Sequence, residues 1–291
     1  MVDVSQITSG PLEDTRHADL PTGPRADPGG TRIRTDLRTY LRTDLRTDDG
    51  VRIEAVYEPS TASVTDTAVV VAHGFTGSVD RPALRRAVAA FRGHAAVVSF
   101  SFRGHGGSGG RSTVGDREVL DLSAAVRWAR ELGHRRVVTV GFSMGGSVVL
   151  RHAAIAKEAD ARTDAVAAVS APARWYYRGT PPMRRVHWVV TRPLGRVVGR
   201  YGLGTRIDTR DWDPVPLSPV EAVPLIAPTP LLIVHGDRDP YFPVDHPRML
   251  AAAAERAGAP AELWLERGMG HAENAAGDEL LGRLGTWLAR P

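Results

Sequence analysis

Apolar positions in this chain keep two rhythms that alternate along its length. Short, largely apolar runs occur at residues 68–72, 95–100, 137–140, 165–170, 231–234 and 261–265, the first of them continuous. Runs of that length, rich in valine, isoleucine and alanine, predict strands buried on both faces. Between them lie stretches with helical spacing, at residues 82–91, 116–132, 247–256 and 278–289. In 116–132 the apolar set includes Val119, Leu120, Leu122, Val126 and Trp128. One segment alternates with period two instead, from Val51 to Tyr57, behind a hairpin turn at Asp49-Gly50. Alternating strand and helix over this length predicts an α/β chain with a mostly parallel sheet and helices on both faces. Such sheets bind ligands beyond the carboxyl ends of their strands, so residues following each run carry the chemical reading.

Two regions break the rhythm. Residues 1–33 are rich in Pro, Gly, Asp and Thr without periodicity and read as a loosely packed or disordered leader. A tetrapeptide follows in near copies starting at Arg34, Arg38, Arg42 and Arg46. Its period is too short for a solenoid, and its last copies are expected to supply an edge strand. The second break, residues 172–227, is read as a helical insertion between the sixth and seventh core strands. The core is then assigned to 34–171 and 228–291. Within the insertion Val186, Val189, Val190, Leu194, Val197, Val198 and Tyr201 make a helical stripe that Pro193 should kink or divide.

Four strand ends carry groups that suit one chemistry. The run ending at Val140 enters Gly141-Phe142-Ser143-Met144-Gly145-Gly146, and a helical pattern follows. A serine between strand and helix, with glycines two residues to either side, is the signature of a tight turn that projects the hydroxyl. The same string recurs at Gly106-Gly107-Ser108-Gly109-Gly110, but no helical pattern follows Ser108 directly; context selects Ser143. After residue 72 comes His73-Gly74-Phe75-Thr76-Gly77. The backbone N–H groups of Phe75 and Met144 would there face a developing oxyanion, with the His73 side chain holding the loop. After His235 comes Gly236-Asp237-Arg238-Asp239-Pro240, which offers two carboxylates, Asp239 being preferred over Asp237. After the last strand Gly268-Met269-Gly270-His271 places a histidine on a flexible loop. The other histidine beyond the acid, His246, sits at an expected helix start and is read as a surface residue.

With these motifs in this order, the chain resembles the α/β-hydrolase fold superfamily over roughly residues 50–291, and within it bacterial serine carboxylesterases and lipases. The resemblance rests on residues 73–77, on Phe102-Arg103-Gly104-His105-Gly106, on the Ser143 turn, on residues 236–240 and on Gly270-His271. It implies a Ser143–His271–Asp239 triad, cleavage of carboxylic esters through an acyl-enzyme, and no cofactor or metal. It also supports Asp239, three residues after Gly236, as the acid. One departure is Ser101, where relatives often have Asp, which bears on how the 102–106 loop is held. Thioesterase, acyltransferase and cofactor-free perhydrolase or haloperoxidase activities share the same triad. An idle ligand-binding module is the reading from another class.

Composition narrows the remaining classes. The formal charge is +4, and Lys157 is the only lysine, so the basic side is arginine. No helix-turn-helix, zinc or RNA-binding signature accompanies it, and no nucleic-acid partner is expected. The absence of cysteine excludes thiol catalysis and disulfides. The N-terminus has no secretory pattern and no run approaches a membrane span; the expected location is cytoplasmic. Between Ala173 and Trp212 nine arginines face only Asp208 and Asp211. An ordinary cap helix, its apolar side on the core and its arginines solvated, is the expectation adopted. The alternative is a lid making weak contact with anionic membrane surfaces.

Overall fold

Valine-rich runs need partners on both faces, and the sheet supplies them. The computed structural model describes residues 40–62 and 66–291. The leader expected over residues 1–33 and the first repeat copies lie outside the described residues. Eight strands form one sheet in the order β1-β2-β4-β3-β5-β6-β7-β8. They are β1 (Leu41–Arg46), β2 (Arg52–Glu58), β3 (Thr67–Ala72), β4 (Ala96–Phe100), β5 (Arg136–Phe142), β6 (Ala165–Val169), β7 (Leu231–Gly236) and β8 (Ala261–Glu266). The β1–β2 and β2–β4 pairs are antiparallel. All other pairs are parallel.

The pleat sorts the core into two halves. Ala68, Val70 and Ala72 of β3 join the apolar cluster of α2 (Glu118–Glu131), α3 (Met144–Ile155) and α7 (Asp245–Arg256), with Leu122, Val126, Leu150 and Leu250. Val69 and Val71 join the opposite cluster, built on α1 (Pro82–Phe91) and α9 (Asp278–Leu288), with Leu84, Val88, Phe91, Leu281 and Trp287. Alternation of side chains along a strand is what allows one sequence run to serve both faces.

The tetrapeptide repeat does supply an edge strand. In β1 Leu41, Thr43 and Leu45 are half-buried, whereas Arg42, Asp44 and Arg46 are exposed. Charges on the outward side discourage pairing with another sheet edge. The turn into β2 is set by Gly50, at φ 79°, with the Gly50 amide donating to Thr47 O at 2.8 Å. The 102–106 loop is anchored to this turn. The buried Arg103 guanidinium pairs with Asp49 at 2.7 Å and with Asp121 of α2 at 2.7 Å. Ser101 does part of the work expected of an acid at that position: its hydroxyl donates to Glu54 at 3.1 Å and accepts from the Val79 amide at 3.1 Å.

Residues between β6 and β7 leave the sheet and contain α4 (Pro181–Thr191), α5 (Pro193–Gly202) and the short α6 (Pro219–Ala222). Pro193 divides the helical stripe: Arg192 is extended, at φ −97° and ψ 140°, and α5 starts on the proline. The α5 part of the apolar stripe does not pack on the core as expected, whereas Val186, Val189 and Val190 of α4 are half-buried. No residue of α4 is buried, and on α5 Leu194, Val197 and Tyr201 are 66%, 51% and 77% exposed. Only Gly195 and Gly199 of α5 are buried. The reason is geometric: α5 approaches its neighbours through glycines, which turns its branched side chains outward. Among the described residues no helix is long and apolar enough to cross a membrane.

Candidate active site

The turn after β5 forces its serine into a strained backbone. Ser143 sits at φ 52° and ψ −112°, in a region that L-residues enter only when their surroundings over-determine it. The surroundings here are backbone. A Cβ at Gly141 would overlap the carbonyl of Gly145, and one at Gly145 would overlap that of Ala72. The Ser143 amide donates to Val169 O at 2.8 Å, tying the turn to β6. Its side chain therefore projects beyond the carboxyl ends of β3, β5 and β6.

His271 meets it there. Ser143 Oγ donates to His271 Nε2 at 2.9 Å, and His271 Nδ1 donates to Asp239 Oδ2 at 2.7 Å. The other carboxylate oxygen, Oδ1, accepts from the amides of Tyr241 and Phe242 at 2.8 and 3.1 Å. Burial pushes the Asp239 carboxyl up, but the His271 hydrogen bond and charge and the two amides outweigh it, and the group lies below the usual carboxylate range. The Tyr241 ring stacks on the imidazole at 4.3 Å between centroids. These contacts fix both the orientation and the tautomer of His271.

The loop after β3 brings Phe75 to the same place. Among the described residues neither the Phe75 nor the Met144 amide has a protein acceptor, and both residues line the cavity that holds Ser143. His73 holds this loop from below. Fully buried, it donates from Nδ1 to Gly74 O at 2.7 Å and accepts at Nε2 from the Phe102 amide at 3.0 Å. His105 is likewise buried and accepts from the Thr76 amide at 3.3 Å.

The rejected alternatives have other work. Asp237 accepts from the Gly268 amide at 2.6 Å, steadying the loop that carries His271. Ser108 is buried and donates to Ser101 O at 2.5 Å. His246 is not a surface residue: it is fully buried, and its Nδ1 accepts from the Ala173 amide at 2.9 Å. A position at a helix start suggested exposure, but the face of α7 that carries His246 turns inward against Tyr177 and Phe242.

Several neighbours had no signal in the sequence. The amide of Ala272, which sits at φ 54°, donates to the Ser170 hydroxyl oxygen at 3.1 Å. Arg86 of α1 donates to the carbonyls of Glu273 and Ala276 at 2.9 and 2.8 Å, closing the short α8 (Ala272–Ala275) behind His271. Glu273 accepts from the Gly74 amide at 3.0 Å. Each contact joins residues far apart in the chain, so spacing could not show it.

The cavity above Ser143 measures about 630 Å³. Its outer walls come from residues between β6 and β7, including Trp175, Tyr177, Met183, Val186, Val190 and Trp212. Among the described residues no group of three or more His, Asp or Glu side chains could hold a metal ion.

Comparison with known proteins agrees with the architecture. Residues 67–191 match the family model described as alpha/beta hydrolase fold. The esterase Pf2001 of Pyrococcus furiosus superposes with a TM-score of 0.67 at 24% identity, covering 91% of this chain and 97% of the esterase. A second crystal form of that esterase gives 25% identity and the same TM-score, covering 91% and 95%. The esterase domain of a Rhodothermus marinus protein superposes with a TM-score of 0.59 at 20% identity, covering 86% of this chain and 96% of that domain. No curated protein sequence matches. By the family match over residues 67–191, the superpositions and the sheet order, this chain has the α/β-hydrolase fold.

Proposed function

We propose that the protein is a serine hydrolase of carboxylic esters, with Ser143 as nucleophile, His271 as general base and acid, and Asp239 as the orienting carboxylate. The observation that carries this reading is the continuous hydrogen-bond relay from Ser143 through His271 to Asp239, at 2.9 and 2.7 Å. It lies on the floor of a cavity with two unpartnered amides. His271 Nε2 takes the Ser143 proton as Oγ attacks the ester carbonyl. The developing oxyanion is received by the Phe75 and Met144 amides, each such donor supplying about 3 kcal/mol of transition-state stabilisation. His271 then returns the proton to the leaving alcohol, and water repeats the cycle on the acyl-enzyme. The esterases among the structural neighbours support ester chemistry.

A fluorophosphonate probe tests the assignment directly. Labelling is expected on Ser143 and is expected to vanish in Ser143→Ala; an unlabelled wild-type protein would point to an idle binding module instead. A panel of acyl esters graded by chain length, with matched thioesters, separates esterase from thioesterase activity.

Residues 172–227 read best as a cap over this site, since they supply the outer walls of the cavity. The exposed stripe on α5 favours the membrane-facing version of that cap. Leu194, Val197 and Tyr201 stand out into solvent on a segment whose nine arginines are opposed by only two acids between Ala173 and Trp212. Apolar side chains flanked by arginine suit an anionic bilayer surface. The protein is therefore expected to float with liposomes containing phosphatidylserine but not with neutral phosphatidylcholine liposomes, and Leu194→Asp with Val197→Asp should abolish the difference. Equal recovery with both vesicle types would remove the membrane reading.

A further inference from the structure

The carboxylate of Glu273 is not used by the reaction proposed above, yet it stands beside the nucleophile. Its Oε1 accepts from the Gly74 amide at 3.0 Å. A Cβ at Gly74 would lie 3.1 and 3.3 Å from the two carboxylate oxygens and 3.5 Å from Ser143 Cβ, so carboxylate and nucleophile flank one glycine. Glu273 is 7% exposed, lines the same cavity as Ser143, and its Oε2 is buried without a hydrogen-bond partner. Ser147, one helical turn beyond Ser143, repeats the situation: 1% exposed, on the cavity wall, its hydroxyl unpartnered.

An unsatisfied buried carboxylate oxygen is costly, and this one also opposes catalysis of a plain ester. Phe75, which follows Gly74, would offer its amide to the oxyanion, so negative charge would develop next to the Glu273 carboxylate. A substrate that brings its own donor to Oε2 removes both penalties. An ammonium would also neutralise the carboxylate.

We propose that Glu273 is a specificity-determining residue that accepts a hydrogen bond from a hydroxyl or ammonium group next to the scissile carbonyl, selecting hydroxyacyl or aminoacyl esters over plain acyl esters. This rests on the reading of Ser143 as the acylated nucleophile. The expected preference is about ten- to hundredfold, the usual size for a hydrogen bond to a charged group.

The test compares kcat/KM, by acid release, for ethyl propanoate, ethyl lactate and alanine ethyl ester, with wild type and Glu273→Gln. Wild type is expected to favour at least one donor-bearing ester by about tenfold or more. The lactate and alanine arms distinguish a hydroxyl from an ammonium as the donor. In Glu273→Gln the preference should fall to within about threefold of unity for the ammonium arm, because the amide cannot pair with the charge. Equal rates across the three esters in wild type would overturn the proposal, as would an equal loss on all three in the variant, which marks a positioning role alone. If Glu273→Gln does not fold, wild type still decides: 1-aminoethylboronic acid should inhibit about tenfold more tightly than ethylboronic acid, and equal inhibition sinks the idea. Fluorophosphonate labelling of the same wild-type sample separates the two failures. Labelling at Ser143 without ester preference overturns the Glu273 assignment only; absent labelling overturns the nucleophile reading and this proposal with it.

Discussion

Ser143→Ala is expected to lower kcat for ester hydrolysis by on the order of 10⁴ or more while leaving the fold intact. The substitution removes only Oγ, which donates to His271 Nε2 at 2.9 Å. The backbone at φ 52° is held by neighbouring carbonyls and by the bond from the Ser143 amide to Val169 O. Alanine meets the same constraints there. Asp239 keeps its contacts to His271 and to the amides of Tyr241 and Phe242. On the proposed mechanism the covalent route is lost, and any residual rate would reflect the Phe75 and Met144 amides and substrate binding alone. Circular dichroism checks the fold and steady-state kinetics the rate. A Ser143→Ala variant that retains esterase activity within about tenfold of wild type would rule out Ser143 as the nucleophile.

Acid should destabilise the protein between about pH 6.5 and 4, a loss that begins above the range where carboxylates usually titrate. Four fully or almost fully buried histidines, His73, His105, His152 and His246, are held neutral by burial. It pushes His73 down to about 3 and the other three to about 4. In the unfolded chain the same side chains titrate near about 6.5. Below that pH the unfolded state binds protons that the native state refuses, so stability falls as pH drops toward the native values. Each histidine adds a slope of up to about 1.4 kcal/mol per pH unit. His73 shows why protonation is resisted: its Nε2 accepts from the Phe102 amide while Nδ1 already donates. The melting temperature is expected to fall steeply from about pH 7 to about pH 5. His73→Gln should flatten that fall, even where it lowers stability at neutral pH. A melting temperature constant over this window would refute the assignment of neutral buried histidines.

Much of the architecture was readable because periodicity reports burial directly. The strand at residues 231–234 and the helix at 82–91 were visible from apolar spacing, and β7 extends the first by only two residues. The Ser143 turn was readable because only glycine fits at 141 and 145 when backbone lies that close. His246 and α5 were misjudged for one shared reason. Local pattern shows which residues could be buried, but which face of a helix meets the body depends on what the rest of the chain places there. His246 was drawn inward by Tyr177 and Phe242, whereas the α5 stripe was turned outward because the helix docks through Gly195 and Gly199.

The sequence by itself determined the class of fold, the order of strands and helices, and the identity of the serine, acid and histidine worth considering. Those features are local: a spacing, a glycine-flanked turn, a residue at a strand end. Only the tertiary structure decided that Asp239 and not Asp237 reaches His271, and that Glu273 returns across 199 positions to the amide of Gly74. Such contacts depend on where parallel strands end in space. That is set by register and by side-chain packing between residues far apart in the chain, on which the local pattern of apolar and polar positions is silent.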